Sequence, residues 1–205
     1  MLRKHYFIVL SLFIFVLFLS GCPKKVPEPA LLEKPPVKNP VDTLLEAFSS
    51  AESLQARASI RIQTVRSGEE QGFLLNGILL YQRPDKLRLL GYLPFGMNLF
   101  DALYRNGEFF LFIPLQKRVY TGEVSQFEDL MEKAGMIQFS FEKSEDNDIP
   151  KRIQIEMKEK ETRIELRLKE ISVNSSLSEE SFQWTIPEGM EVIPLAILLR
   201  EKKLR

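Results

Sequence analysis

The chain of 205 residues has almost no histidine or cysteine, since its one histidine is His5 and its one cysteine is Cys22. From Pro23 onward the sequence therefore offers neither an imidazole nor a thiol. This absence excludes Ser-His-Asp and Cys-His catalysis, and zinc or copper sites built from histidine or cysteine, after Cys22. A single cysteine also excludes a disulfide within the chain. An enzyme that uses carboxylates alone is left as a distant alternative.

Excess charge and phosphate-binding motifs are also missing. The chain balances 28 basic against 28 acidic side chains and has no long basic patch, so nucleic acid is not an expected partner. No glycine-rich phosphate loop occurs, so no nucleotide site is expected. The acidic stretch around Asp146-Asn147-Asp148 lacks the glycine and the terminal glutamate of an EF-hand. We therefore predict a protein that is not an enzyme and has no cofactor and no metal.

The first 22 residues have the layout of a secretion signal. Arg3 and Lys4 precede an apolar run, Phe7 to Leu19, that is shorter than the ~20 residues of a spanning helix. The run ends in Leu19-Ser20-Gly21-Cys22, which resembles the bacterial lipobox. The resemblance implies that the signal is cut before Cys22 and that the Cys22 thiol carries a diacylglyceryl group. The alternatives are an ordinary signal with an incidental cysteine and an uncleaved anchor.

A proline-rich stretch separates the lipobox from the rest of the chain. Six prolines lie between residues 23 and 40, and proline at this density keeps a segment extended and removes amide donors. At ~3.1 Å per residue this segment could span on the order of 50 Å. We predict a signal peptide at residues 1–21, an acylated cysteine and tether at 22–40, and one domain at 41–205.

The domain reads as strands joined by short turns, with two helices. A capping box at Thr43 and Glu46 predicts the first helix, and a second box predicts a helix over residues 126–134. Period-two alternation and turn residues predict the strands. They lie near residues 56–63, 73–82, 86–92, 99–105, 108–113, 118–121, 137–141, 153–157, 164–168 and 182–186. The tail from Val192 fits an edge strand or a short helix.

This pattern predicts a mainly β fold with α elements: a curved antiparallel sheet, or incomplete β-barrel, covered by two or more short helices. Short turns favour a meander over βαβ units. Two modest helices are too few to cover the apolar face of a sheet of about nine to eleven strands. The sequence therefore predicts an apolar concavity on that face.

Several segments resemble the bacterial lipoprotein-localisation family of LolA and LolB. They are Ala56-Arg57-Ala58-Ser59-Ile60, Arg83-Pro84-Asp85-Lys86-Leu87-Arg88-Leu89, Leu93-Pro94-Phe95-Gly96, Asn106-Gly107 and the stretch from Ser181 to Gly189. The resemblance covers roughly residues 43–190 and implies an incomplete barrel under helices that binds the acyl chains of lipoproteins. A lipid anchor on Cys22 favours the receptor-like branch. Trp184 is the only tryptophan, whereas the receptor is expected to have strands rich in tryptophan. A sister group that binds a different cargo is therefore an alternative.

The predicted cargo-binding residues are apolar side chains assigned to the concave face. They are Ile60, Ile62, Leu75, Leu79, Leu87, Leu89, Phe110, Phe112, Phe139, Phe141, Ile155, Leu166 and Trp184. Each could instead be ordinary core, and a parity error of one residue would move a strand's set to the other face. Leu93, Phe95 and Met97 are predicted to form a membrane-contact loop, with a loop buried under the sheet as the alternative. Arg57, Arg61 and Arg88 are expected to be solvated.

The predicted location is the outer membrane, lipid-anchored at its periplasmic face. In well-studied systems an aspartate after the acylated cysteine retains a lipoprotein at the inner membrane. The residue after Cys22 is Pro23, which favours the outer membrane and leaves the inner membrane as the alternative location. The predicted partners are the membrane itself, the acyl chains of lipoproteins or other lipids, and a periplasmic carrier protein. The alternative function is a non-catalytic scaffold or assembly lipoprotein that binds a protein partner with the same fold.

Overall fold

The structure, a computed structural model, describes residues 40–66, 68–126, 137–144, 148–158 and 161–197. Helix α1 (Pro40–Phe48) opens the domain. The strands are β1 (Ser53–Arg66), β2 (Glu69–Gln82), β3 (Lys86–Tyr92), β4 (Asn98–Arg105), β5 (Glu108–Ile113), β6 (Arg118–Glu123), β7 (Ile137–Lys143), β8 (Pro150–Met157), β9 (Thr162–Val173) and β10 (Glu191–Pro194). Short 3₁₀ helices lie at Pro114–Gln116 and Glu179–Phe182.

All ten strands belong to one open, curved sheet in the order β10-β6-β5-β4-β3-β2-β1-β9-β8-β7. Strands β1 to β9 pair antiparallel, and β10 adds to β6 as a short parallel edge strand. The predicted fold class, a mainly β protein built on a curved and incomplete antiparallel barrel, is confirmed. The tail after Val192 proves to start as an edge strand.

One face of the sheet, here called the inner face, carries the main apolar core. Helix α1 packs on it at one end, where the Phe48 ring lies 5.6 Å from the Tyr81 ring, centroid to centroid. Strand register places one alternating set of residues on this face, because partners on neighbouring strands point the same way. Its buried members are Leu54, Ala56, Ala58, Ile60, Leu75, Leu79, Tyr81, Tyr104, Ile153, Leu166 and Leu168.

Two glycines allow close contacts between β2, β3 and β4. Gly77 and Gly91 are register partners on β2 and β3, and both are buried. A Cβ atom at Gly77 would lie 2.8 Å from the Leu90 carbonyl oxygen, and one at Gly91 would overlap the Phe100 ring. Only glycine permits this close approach, which is a common cause of a sharp bend in a strand. The Phe100 ring covers the space that the missing side chain leaves.

The opposite, outer face carries two different surfaces. Along β1, β8 and β9 it is polar, with ion pairs such as Arg57–Glu170 and Arg163–Glu156 that are open to solvent. Along β4, β5 and β6 it is apolar, and Leu103 and Val119 are buried there. Residues 174–190, here called the strap, supply Phe182, which is fully buried. The sheet is therefore apolar on both faces over these strands.

Two element predictions need correction, and a third lies almost entirely outside the described residues. The helix begins at Pro40, before the capping residue expected at Thr43, because proline is well tolerated in a first helical turn. Residues 182–186 are not a strand but the end of a 3₁₀ helix followed by irregular chain. Nearly all of the second predicted helix lies outside the described residues. Within the described ranges, no helix is long and apolar enough to cross a bilayer.

Candidate functional site

Most of the predicted cargo-binding residues do share the inner face. Ile60 of β1 is the register partner of Leu75 on β2 and Leu166 on β9, and Leu79 is the partner of Leu89. On the far strands, Phe139 pairs with Ile155, and Phe141 pairs with Ile153. The structure thus brings together ten of the predicted residues: Ile60, Ile62, Leu75, Leu79, Leu87, Leu89, Phe139, Phe141, Ile155 and Leu166.

Burial divides this set into two groups. Ile60, Leu75, Leu79 and Leu166 are buried among their neighbours, so they belong to the ordinary core. The others are only half-buried, although they pack against that core or lie beside it on the same face. We call this second group the accessible band: Ile62, Leu87, Leu89, Phe139, Phe141 and Ile155. Half-exposed apolar side chains on one continuous face are a surface that an apolar ligand can use.

Phe110, Phe112 and Trp184 are not on the inner face, so that part of the prediction is wrong. Phe110 is the register partner of Leu103, which lies on the outer face. Phe112 lies two residues further along β5 and therefore points to the same face. The Trp184 ring lies 5.9 Å from the Phe110 ring and 5.8 Å from the Phe112 ring, centroid to centroid. These aromatic side chains hold the strap on the outer face. Strand β5 is apolar at consecutive positions, so its pattern does not reveal its parity.

The predicted membrane-contact loop is a tight hairpin turn between β3 and β4. The Gly96 amide donates to the Leu93 carbonyl and the Leu93 amide donates to the Met97 carbonyl, each at 2.9 Å. Gly96 has a φ of +82°, which closes a turn of this kind at little steric cost. Phe95 is 99% exposed and Met97 is 52% exposed. Leu93 instead packs against the inner-face core.

The alternative of a loop buried under the sheet is therefore wrong for Phe95 and Met97, which we call the hairpin tip. Both side chains point an apolar surface at solvent from a turn held by two backbone hydrogen bonds. Leu115, in the 3₁₀ turn between β5 and β6, is also exposed at this end of the sheet. Exposed apolar groups on neighbouring hairpins are typical of a surface that meets a partner or a membrane.

Charged groups on the outer face fix the strap. Arg88 makes a bidentate ion pair with Asp101, with Nε to Oδ1 at 2.9 Å and Nη2 to Oδ2 at 2.6 Å. Arg88 Nη1 also donates to the Ser181 carbonyl at 2.7 Å, and Arg105 Nη1 donates to the Phe182 carbonyl at 3.0 Å. Arg88 is therefore not the solvated charge that the sequence predicts, whereas Arg57 and Arg61 are exposed as expected.

Sequence reasoning missed Asp101 altogether. It is an acidic residue in an apolar strand, and its side chain is buried opposite Leu90 and near Arg88. A carboxylate in such a position needs a cationic partner, because an unpaired buried charge is costly. The two residues form an ion pair across β3 and β4, and a search for oppositely charged residues on adjacent predicted strands would have found it.

A polar cleft of about 550 Å³ lies between the β1–β2 and β8–β9 hairpins. Its lining includes Gln63, Gln71, Glu156 and Arg163, and the Thr64 and Thr162 hydroxyls lie 2.9 Å apart beside it. None of the predicted cargo-binding residues lines this cleft, so it is distinct from the predicted apolar site. In the described part of the chain, no three acidic, histidine or cysteine residues cluster closely enough to hold a metal ion.

Comparison with known proteins gives similarities only among solved structures. No family model matches the chain, and no curated protein matches it. A LolA superfamily protein from Nitrosomonas europaea is 11% identical, with 70% of this chain and 97% of that chain covered and a TM-score of 0.42. An uncharacterised conserved protein from Thermus thermophilus is 11% identical, with 75% and 98% covered and a TM-score of 0.42. A putative outer membrane lipoprotein-sorting protein domain from Vibrio parahaemolyticus is 11% identical, with 70% and 95% covered and a TM-score of 0.37. The predicted lipidation residue, Cys22, lies outside the described residues.

Proposed function

We propose that this protein is a lipid-anchored lipoprotein of the outer membrane that binds acyl chains along its inner face, without catalysis, in lipoprotein localisation. The observation that carries the proposal is the accessible band, a set of apolar side chains that are neither fully buried nor scattered over the surface. Each methylene that leaves water gains ~0.8 kcal/mol, so an acyl chain laid along this band gains several kcal/mol.

Transfer of such a chain needs no chemical energy source. A receiving protein must hold the chain more favourably than its donor, and the bilayer must then hold it more favourably than the protein. The half-buried state of the band suits this intermediate role, because a fully enclosed chain would leave slowly. The donor in this scheme is a periplasmic carrier protein.

The hairpin tip is the proposed membrane contact. Phe95 projects from a turn whose backbone is fixed by its own hydrogen bonds, so insertion into the headgroup region would require no refolding of the loop. Leu93, which the sequence groups with the tip, has a structural role in the core instead. The tether and Cys22 would keep the domain within reach of the bilayer.

Lipid binding is tested by changing neighbouring residues of β3 that point to opposite faces. Leu89 lies on the inner face and Leu90 on the outer face, and both are half-buried. The full-length protein with Leu89→Asn should bind a fluorescent fatty acid about tenfold more weakly, because the amide removes apolar contact and must be desolvated. The matched control Leu90→Asn should bind it as the wild type does.

Equal loss in the two variants would contradict acyl binding at the inner face. If neither the wild type nor the Leu90→Asn variant binds fatty acid or carries extractable lipid by mass spectrometry, the scaffold function replaces the lipid-binding one. Activity on any substrate that is lost with a single Asp or Glu would instead favour the carboxylate enzyme.

The anchor and the tip are tested separately. Replacing Cys22 with serine should abolish incorporation of labelled palmitate and release the protein from the outer-membrane fraction; retention of the label would contradict lipidation at Cys22. With the anchor removed in this way, Phe95→Glu should reduce binding to anionic phospholipid vesicles several-fold. Ile186→Glu, at another exposed apolar residue in the strap, should not. Equal vesicle binding by the two variants would exclude the tip as the membrane contact.

A further inference from the structure

The first part of β2 is an open strand edge. Strand β2 pairs with β1 along its whole length, from Glu69 to Gln82, but β3 pairs only with the part from Asn76 to Gln82. On the β3 side, residues 69–75 have no strand partner among the described residues. Residues 69–74 are all exposed, and a Cβ atom added at Gly72 would meet only one atom, at 4.0 Å.

The hydrogen bonds of β1 show which backbone groups face this open side. The Val65 amide donates to the Glu161 carbonyl, so the Val65 backbone points away from β2. Its register partner Glu70 must then point away from β1. Because antiparallel pairs alternate along the ladder, Gly72 and Leu74 point the same way as Glu70. Within the described ranges, the amides and carbonyls of these three residues have no backbone partner at the edge, whereas Gln71 and Phe73 bond to β1.

Beyond the charges of Glu69 and Glu70, this stretch has no feature that discourages pairing. Exposed edges are usually protected by proline, lysine or a bulge, and none of these occurs between Glu69 and Leu75. Phe73 is 54% exposed on the inner face and Leu74 is 57% exposed on the outer face. An added strand would therefore find apolar contacts on both of its own faces as well as backbone partners.

Size and charge indicate what kind of partner fits. Seven residues of strand span ~23 Å. The surface that one edge of this length can bury is far smaller than the ~800 Å² that each partner buries in a stable protein–protein interface. A second folded copy is thus a poor occupant, and a flexible extended segment is a good one. Glu69 and Glu70 give the far end of the edge a negative charge. The partner strand should carry cations there.

We propose that residues 70–74 of β2 form a strand-addition site for an extended segment of a partner protein. The segment contains no proline, runs antiparallel to β2 as β3 does, places apolar side chains beside Phe73 and Leu74, and carries lysine or arginine near its C-terminal end, beside Glu69 and Glu70. This site is independent of acyl binding, because it uses the backbone edge rather than the accessible band.

The test uses a nine-residue peptide of alternating valine and threonine with two lysines at its C-terminus, added to the full-length protein. Amide hydrogen exchange followed by NMR should show new protection at Glu70, Gly72 and Leu74, while the exchange at Gln71 and Phe73 stays as it was. The same peptide with its lysines at the N-terminus should bind several-fold more weakly, since antiparallel pairing would place them away from Glu69 and Glu70.

Gly72 offers a matched pair of variants. Gly72→Pro removes one outward amide and should weaken peptide binding about fivefold, whereas Gly72→Ala keeps the amide, adds a Cβ in open space and should bind as the wild type does. Should Gly72→Pro fail to fold, Leu74→Lys places a cation on the edge and should weaken binding of the lysine peptide to a similar extent. Leu89→Asn should leave peptide binding unchanged.

Three outcomes would overturn the proposal. One is no binding of either peptide at millimolar concentration. Another is protection that spreads evenly over residues 69–75, or that falls outside them. The third is concentration-dependent protection of Glu70, Gly72 and Leu74 without peptide, together with a dimer by analytical ultracentrifugation, which would assign the edge to a second copy of the chain.

Discussion

Removal of the Asp101 carboxylate should destabilise the domain more than any surface change. The Asp101 side chain is 6% exposed and that of its partner Arg88 is 16% exposed, so the pair is largely shielded from water. After Asp101→Leu, the Arg88 guanidinium keeps the Ser181 carbonyl but loses both carboxylate bonds. Breaking a buried pair costs ~3–5 kcal/mol; because Arg88 keeps one acceptor and some water, we expect ~3 kcal/mol.

The strap provides an optical reading of the same change. Trp184 is the only tryptophan of the chain and lies against Phe110 and Phe112 on the outer face. Its fluorescence therefore reports whether the strap is docked. In urea titrations of the full-length protein, Asp101→Leu should lower the free energy of unfolding, and the Trp184 emission should shift to longer wavelength below the main unfolding transition.

A double-mutant cycle separates the ion pair from general damage. Arg88→Met alone leaves the Asp101 carboxylate buried and unpaired, so it should also be strongly destabilising. The double variant has neither charge, and its loss should be smaller than the sum of the single losses by ~2 kcal/mol or more. If the losses add to within ~0.5 kcal/mol and the emission of the folded protein does not move, the pair does not hold the strap and the reasoning fails.

Three further changes test the fold and its pH response. Gly91→Ala places a Cβ against the Phe100 ring and should cost ~1–3 kcal/mol in chemical denaturation, a loss that Phe100→Leu should reduce; equal losses with and without Phe100→Leu would contradict the contact. Burial raises the pKa of Tyr81, so the folded state favours the neutral phenol. This contribution to stability is lost as the pH rises above about 10, and Tyr81→Phe should therefore reduce the fall of Tm at alkaline pH. A hydrogen bond from Lys151 lowers the pKa of Glu142, so its contribution is present above the ordinary value of 4.5 and is lost as the pH falls; Glu142→Gln should weaken the acid dependence of Tm, and an unchanged acid limb would contradict the pairing.

Strand limits were predictable where turn chemistry marks them. Strands β3 and β5 have the predicted bounds, Lys86 to Tyr92 and Glu108 to Ile113. Asn106-Gly107 fixes the start of β5, because Asn106 and Gly107 both take positive φ in the β4–β5 turn. The sequence predicts a start of β2 at Phe73, because the polar residues before Phe73 look like a turn, but the strand begins at Glu69. Those residues belong to the open edge.

The side of the sheet was predictable only for strands that alternate. In β1 alanine and isoleucine alternate with arginine and serine, so the inner-face position of Ile60 and Ile62 follows from the pattern. In β5 the run from Phe109 to Ile113 is apolar throughout. Such a run indicates a strand with both faces covered. Here the second cover is the strap, whose alternating Phe182, Trp184 and Ile186 predict a further strand rather than a covering segment.

Access cannot be predicted from alternation at all, and access is what distinguishes a binding surface from a core. Ile60 and Leu89 occupy equivalent apolar positions on the same face, yet one is buried and the other is half-exposed. Neighbouring strands flank both residues, with Leu75 and Leu166 beside Ile60 and with Leu79 and Ala102 beside Leu89. The difference in exposure therefore depends on what packs over each residue and not on its strand partners. A ligand can bind where the inner face of the sheet extends beyond the elements that pack on it. The extent of that face can be predicted from the sequence only after the register of every strand is known.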